Sequence, residues 1–282
     1  RKFEFDLLKV TPASGYFGEA FGGKFVYKID EEGRQKGTRD CLDYPMKNSQ
    51  DWQKLPILDT NQRIFNRELE AISLIRQGVG KEVPLVQTIP NPLYLAKNIS
   101  DNQWLKDLRE NPSELKKGLE IITVTIIKFI KATLQAGADG IFFFTQLASY
   151  DVLTEEEYKN FGRKYDEQVF EEIKKDTDLI IFHIHGKNIM FDAVKDYPVQ
   201  ILNWHDRRTA PSLAEGKKLF KGAVCGGINE WETLLKSNHE EIKKEVKEAI
   251  SQTNGRGLII GPGCIIPVIT PEENILAIKE VL

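Results

Sequence analysis

The chain has 282 residues, 41% of them hydrophobic and 29% charged, with a net charge of −3; these are the proportions of an ordinary globular protein with room for a substantial core. Its 39 basic and 42 acidic residues are interleaved without a Lys/Arg stripe, which argues against a nucleic-acid binder. No apolar run approaches the roughly 18 residues of a membrane span, and three widely spaced cysteines, Cys41, Cys225 and Cys264, form a reduced, cytosolic pattern rather than a disulfide framework.

The chain opens at Arg1 without a signal-peptide pattern. The expectation is a cytoplasmic protein with residues missing from its front. Residues 24–29 and 38–44, joined by Asp30-Glu31-Glu32-Gly33, read as a β-hairpin excursion. Residues 66–79 read as an amphipathic helix.

From about residue 80 onward, short apolar runs alternate with longer amphipathic segments. The runs are 83–89, 140–144, 179–185, 199–204, 222–226 and 257–260, rich in Val, Ile and Phe, which is how strands buried on both faces read. Between them, Asn111-Pro112 opens a helix with apolar positions Leu115, Leu119, Ile122, Ile126, Phe129, Ile130 and Leu134, ended by Gly137. Capping boxes are predicted at Thr154 with Glu157, Ser237 with Glu240 and Thr270 with Glu273, with Pro271 at the first position of the last helix.

Alternating β and α over this length implies a parallel sheet with right-handed crossovers. The early strands are followed by no Gly-rich phosphate fingerprint, so a barrel is preferred over an open nucleotide-binding sheet. Six barrel-type strands are visible, and the other two are expected in the N-terminal stretch or ahead of Arg1.

Reactive side chains of such a barrel sit at or just beyond the strand C-termini. Those positions hold Gln146, His183, His185, Asn203, His205, Asp206, Asn229 and Cys264. His183 and His185, two apart on a strand, face the same side. With Cys264 on the turn Gly261-Pro262-Gly263-Cys264 they offer two imidazoles and a thiolate to zinc, with the fourth position open for a thiol or water. The plainer alternative is a hydrogen-bonded polar pocket, and His205 could replace either imidazole.

Asp206 and His205 are the candidates for proton-handling catalytic roles, Asp206 also for orienting a histidine or capping the next segment. Gln146, Asn229 and Arg207 are the candidates for substrate binding; Arg207 and Arg208 could pair with a carboxylate or simply be solvated. Cys225 and the run 142–144 read as core, and His239 as a bystander.

Several segments together resemble the uroporphyrinogen decarboxylase superfamily. They are Gly137-Ala138-Asp139-Gly140-Ile141, His183-Ile184-His185-Gly186, Gly226-Gly227-Ile228-Asn229, and Gly261-Pro262-Gly263-Cys264 running into Thr270-Pro271-Glu272-Glu273-Asn274. Asp51-Trp52-Gln53-Lys54-Leu55 is similar to the N-terminal part of the same superfamily. The resemblance implies one (β/α)8 TIM barrel over residues 1–282, with the hairpin as an excursion.

It also implies one of two activities. One branch decarboxylates uroporphyrinogen, a tetrapyrrole, without a cofactor. The other uses zinc to pass a methyl group from methylcobalamin, carried by a corrinoid partner protein, to a thiol such as coenzyme M. In that branch the zinc motif is His-x-Cys with a distant Cys; by position His183 matches the first ligand, Cys264 the last, and His185 stands where Cys is usual. The Arg-rich segment of the decarboxylase branch is not seen, and Cys264 occupies the region where that branch has a histidine. Methyl transfer is therefore the leading expectation, decarboxylation the second, and a non-enzymatic corrinoid- or ligand-binding barrel the third.

Overall fold

The computed structural model describes residues 2–29 and 35–282. It divides into two compact units. One comprises Asp6–Thr145 with Glu156–Asp178; the other comprises Gln146–Glu155 and Leu179–Leu282 with the first few residues of the chain.

The first unit holds three parallel strands, β1 (Leu8–Val10), β4 (Leu85–Pro90) and β5 (Gly140–Thr145), in which β4 is paired on both sides. The strand at Leu8–Val10 is one of those expected in the N-terminal stretch. An antiparallel pair, β2 (Lys24–Ile29) and β3 (Gln35–Asp43), stands apart as its own two-stranded sheet. The turn read at Asp30-Glu31-Glu32-Gly33 lies outside the described residues.

Five helices accompany these strands: α1 (Tyr16–Ala20), α2 (Arg63–Val79), α3 (Pro92–Asn98), α4 (Gln103–Glu110) and α5 (Pro112–Gln135). The α5 helix begins with Pro112 after Asn111, and Gly137 at φ 115° follows its end, as the punctuation predicts. Its apolar stripe, Leu115, Leu119, Ile122, Ile126, Phe129 and Ile130, is fully buried. Phe129 meets Phe17 and Phe65 with ring centroids 5.1 and 4.6 Å apart, and each such ring adds about 1.5–3 kcal/mol by leaving water. Further on, α6 (Glu155–Tyr158) starts directly after Thr154 and continues through a π turn at Lys159–Arg163 into α7 (Lys164–Ile173).

The second unit is a parallel sheet of four strands, β6 (Ile180–Ile184), β7 (Ile201–Trp204), β8 (Ala223–Ile228) and β9 (Leu258–Pro262), paired in chain order. It carries α8 (Leu213–Leu219), α9 (Thr233–Lys236), α10 (His239–Thr253) and α11 (Glu272–Lys279). Trp204 is fully buried, its indole donating to the Pro211 carbonyl at 2.8 Å.

Two of the predicted caps are displaced. Asn238, not Ser237, caps α10 by accepting from the Glu241 amide. At α11 the cap position is Pro271 itself, with no side-chain cap bond, and Thr270 Oγ1 is buried without a partner. The start of α11 is anchored differently: Asn274 donates its amide to the Leu234 carbonyl at 2.9 Å.

In the first unit, the buried Asp107 accepts from Ser49 Oγ (2.6 Å), Trp52 Nε1 (2.7 Å), Gln103 Nε2 (3.0 Å) and Asn111 Nδ2 (3.0 Å). Burial raises its pKa, but these four donors together outweigh it, and the carboxyl is held below its ordinary value. A depressed carboxyl contributes stability that is complete above the unfolded-state pKa and lost as pH falls through the folded one. Asp107→Asn turns one acceptor into a donor facing donors. It is expected to lose about 1–3 kcal/mol at neutral pH, with the deficit shrinking on acidification; urea unfolding at neutral and acidic pH checks this.

Candidate metal centre

The four strands of the second unit run in the same direction, so their C-terminal ends share one edge. His183 lies on β6 directly opposite Asn203 on β7, and both are buried. His185 follows the end of β6, His205 follows β7, and Cys264 follows β9 by two residues. Gly263 makes the last approach possible: a Cβ there would come within 2.9 Å of His205 Cα and 3.0 Å of the Trp204 carbonyl. Only a glycine lets the turn before Cys264 lie against the end of β7.

The result is one cluster. One donor atom each from His183, His185, His205 and Cys264 lie within 4.8 Å of one another. Cys264 Sγ is 3.4 Å from His185 Nδ1, which is 3.2 Å from His205 Nε2. A tetrahedral zinc with ordinary bond lengths would set nitrogen–nitrogen edges of about 3.3 Å and nitrogen–sulfur edges of about 3.6 Å. The two edges at His185 are close to those values, and imidazole with thiolate is a donor set that suits zinc.

Outer contacts aim two of the rings. Asn203 Nδ2 donates to the carbonyls of Cys225 (2.8 Å) and Pro262 (3.2 Å), so its Oδ1 faces His183 Nδ1 at 2.6 Å. An amide oxygen only accepts, so Nδ1 carries the hydrogen and Nε2 turns its lone pair to the cluster. His205 Nδ1 faces Glu230 Oε1 at 3.2 Å, which leaves Nε2 inward in the same way. The Glu230 carboxylate, 1% exposed, also accepts from Arg208 Nη2 at 2.7 Å, and this nitrogen lies 2.6 Å from His205 Nδ1.

Electrostatics follow from that packing. Burial pushes the Cys264 thiol up, but hydrogen bonds from His183, His185 and His205 overcome it and pull the group down to about 3. Burial works against a charge on His205 as well, yet Cys264 and Glu230 raise it to about 9. Burial dominates at His183 and lowers it. Without a metal, the cluster is a thiolate paired with a His205 imidazolium beside a neutral His183.

The other predicted residues are placed elsewhere. Asp206 accepts from the Gly227 amide at 3.1 Å, and burial pushes its carboxyl up to about 6. Arg207 donates to the Gly227 carbonyl (2.9 Å), the Glu245 carbonyl (3.0 Å) and Glu248 Oε1 (3.0 Å), tying the end of β7 to β8 and α10. Asn229 accepts from the amides of Trp231 and Glu232, both at 3.1 Å, and shapes its own turn. Gln146 is half-buried in the loop after β5. Of the carboxylates at these strand ends, Asp206 is not among the donors gathered with His183, His185, His205 and Cys264.

Glu230 is the member that sequence reasoning passed over. It lies two residues past β8, where strand alternation no longer tells its direction, and its neighbour Asn229 was the more conspicuous polar residue.

In metal-free protein, the ultraviolet absorbance of the Cys264 thiolate is expected to persist down to about pH 5 and to be absent from Cys264→Ser. Cys41, whose thiol burial pushes upward, should contribute only in alkali. A thiolate signal appearing solely above about pH 8 would contradict the hydrogen-bonded sulfur.

A family model described as uroporphyrinogen decarboxylase (URO-D) matches residues 19–282. Among characterised proteins, the methylcobamide:CoM methyltransferase MtaA of Methanosarcina barkeri is 29% identical over 214 residues, covering 74% of this chain. The chain spans 61% of that relative's length. The methylcobamide:CoM methyltransferase MtbA of Methanosarcina acetivorans is 23% identical over 252 residues, 88% of this chain and 72% of that protein. A uroporphyrinogen decarboxylase of Geobacter sp. is 25% identical over 237 residues, 80% of this chain and 66% of that protein. A solved methyltransferase from Methanosarcina mazei has the same fold, with a TM-score of 0.87 at 22% identity over 99% of this chain and 80% of that one.

Proposed function

The chain belongs to the uroporphyrinogen decarboxylase family, and from that membership we propose that it is a zinc-dependent methyltransferase, passing a methyl group from methylcobalamin on a corrinoid partner protein to a small thiol. The observation that carries the reading is the gathering of His183, His185, His205 and Cys264 at the strand C-termini of the second unit. Bound zinc would lower the pKa of the acceptor thiol, so that thiolate, the competent nucleophile, is present near neutral pH.

The protein's own residues have three tasks in this reading. The three imidazoles and Cys264 hold the ion, with Cys264 already deprotonated and thus ready to bind it. Asn203 and Glu230 engage the outer nitrogens of His183 and His205, so that Nε2 of each ring faces the ion. Asp206, Arg207 and Asn229 brace the strand ends and α10, so that the ligands keep their spacing. Gln146 remains the residue assigned to the substrate. We take residues 1–282 as one barrel-type domain, a reading supported by the likeness of fold over 99% of the chain.

The relatives that act on uroporphyrinogen offer a second reaction, for which Asp206 and Arg207 would have to meet substrate carboxylates. Both are turned to internal partners instead, and a buried thiolate suits a metal better than an acidic tetrapyrrole.

Elemental analysis is expected to find about one zinc per chain in wild-type protein, with Cys264→Ser losing about 100-fold or more in zinc affinity. Zinc-loaded protein should demethylate methylcobalamin in the presence of a thiol, and chelator-stripped protein should not. Decarboxylation of uroporphyrinogen by stripped protein would overturn the proposal, as would corrinoid binding without methyl transfer by zinc-loaded protein.

A further inference from the structure

In the first unit, the parallel strands bury one face under their helices. Leu8, Val10 and Leu85 pack with Ile72 of α2, and Phe143 meets Phe170 of α7 edge to face, with centroids 5.5 Å apart. Alternation then turns Lys9, Phe142 and Phe144 to the opposite face. Lys9 Nζ lies 4.6 Å from the centre of the Phe142 ring and donates to Thr11 Oγ1 at 2.9 Å. The face is aromatic, with positive charge at its side.

The C-terminal end of β4 leads through Asn91 directly into α3, and Asn91 Oδ1 accepts from the Tyr94 amide to fix the helix start. Tyr94 lays its ring against Phe144, centroids 5.1 Å apart, so this side of α3 continues the aromatic face beyond the strand end. Lys97 follows one turn later. Helical side chains lean toward the N-terminus, which carries its stem back over the turn that holds Tyr94. Phe144, Tyr94 and Lys97 are each only half-buried, so a ligand can reach all three.

The Lys97 ammonium makes no hydrogen bond and no ion pair among the described residues. Burial acts on it alone and pulls its pKa down. A cation kept partly out of water normally has a carboxylate, as Arg39 has Glu19 and Arg76 has Asp139. Lys97 has aromatic neighbours and an uncompensated charge instead.

Those surroundings select the anion. Sulfate or phosphate holds its water tightly and needs several donors, which a single ammonium does not supply. A ring bearing one acidic group meets both features, with an apolar face for the rings and a charge for the ammonium.

We propose that this face of the first unit binds a small planar aromatic acid, its carboxylate on Lys97 Nζ and its ring against Tyr94 and Phe144. The site involves no metal, and the inference goes beyond the methyl-transfer reading without resting on it.

Calorimetric titration of the wild-type protein with benzoate tests it. Benzoate should bind with a Kd of about 1 mM or tighter, and acetate at least about tenfold more weakly. Lys97→Met should weaken benzoate by about tenfold or more, while Lys97→Arg keeps it and Lys117→Met, at an exposed lysine of α5, changes nothing. The thermal midpoint of Lys97→Met should not fall, because the change removes an uncompensated charge from a half-buried position. Benzoate should also slow the acetylation of Lys97 by acetic anhydride, followed peptide by peptide in a mass spectrometer, and leave the other surface lysines unaffected.

Benzoate that fails to saturate the wild-type protein by about 10 mM overturns the proposal, as does unchanged affinity in Lys97→Met. Equal affinity for acetate overturns it too, since the rings would then have no part in binding. A lowered midpoint in Lys97→Met assigns the lysine to the fold and counts against the site.

Discussion

The pairing of β6 with β7, which sets His183 opposite Asn203, is the constraint on which the histidine–cysteine cluster depends. Register in a sheet is all or nothing: a slip by one residue turns every side chain of the strand to the opposite face. Here it would move His183 to the helix side and leave the Asn203 amide without its acceptor role toward the ring. The apolar residues flanking His183, Phe182 and Ile184, are fully buried. The hydrophobic packing that selects the register is thus the same packing that aims an imidazole at the cluster.

Around that pair, parallel strand direction does the rest. Three chain segments ending at 185, 205 and 264 meet because their strands point the same way and their turns leave from one edge. The local cost is visible in the contents of the site. Glu230 is a carboxylate buried almost completely, paired with Arg208 and facing His205. Burying an ion pair rarely stabilises a fold beyond what apolar residues of the same volume would do. Here Glu230 faces the outer nitrogen of His205 and, with Cys264, raises the pKa of that ring.

Asp206, Arg207 and Asn229 show the other use of polar residues at strand ends. Each looks reactive by position, and each spends its hydrogen-bonding capacity on backbone groups of β8, of α10 or of its own turn. A turn that leaves a parallel strand exposes amides and carbonyls with no ladder partner, and such groups need side chains to satisfy them. Strand-end polarity marks the correct edge of the sheet without saying which residues face a ligand.

Composition and periodicity by themselves determined the alternating β and α plan, six of the seven parallel strands among the described residues, the α5 helix with its Asn111-Pro112 start, and the edge on which chemistry-bearing residues collect. They also determined that His183 and His185 share one side, because strand alternation is a local property of the backbone. Tertiary structure alone decided that a ring nitrogen of His205 gathers with those of His183 and His185 and the sulfur of Cys264, and that Asn203 and Glu230 meet the outer nitrogens of two of the rings. It alone paired Asp206 and Arg207 with backbone groups of β8 and α10. Those outcomes depend on which segments, separated by 20 to 79 positions in the chain, approach within hydrogen-bond distance. Short-range sequence pattern carries no information about such approaches; they are set by the register of strands and by a glycine small enough to let one turn rest on another.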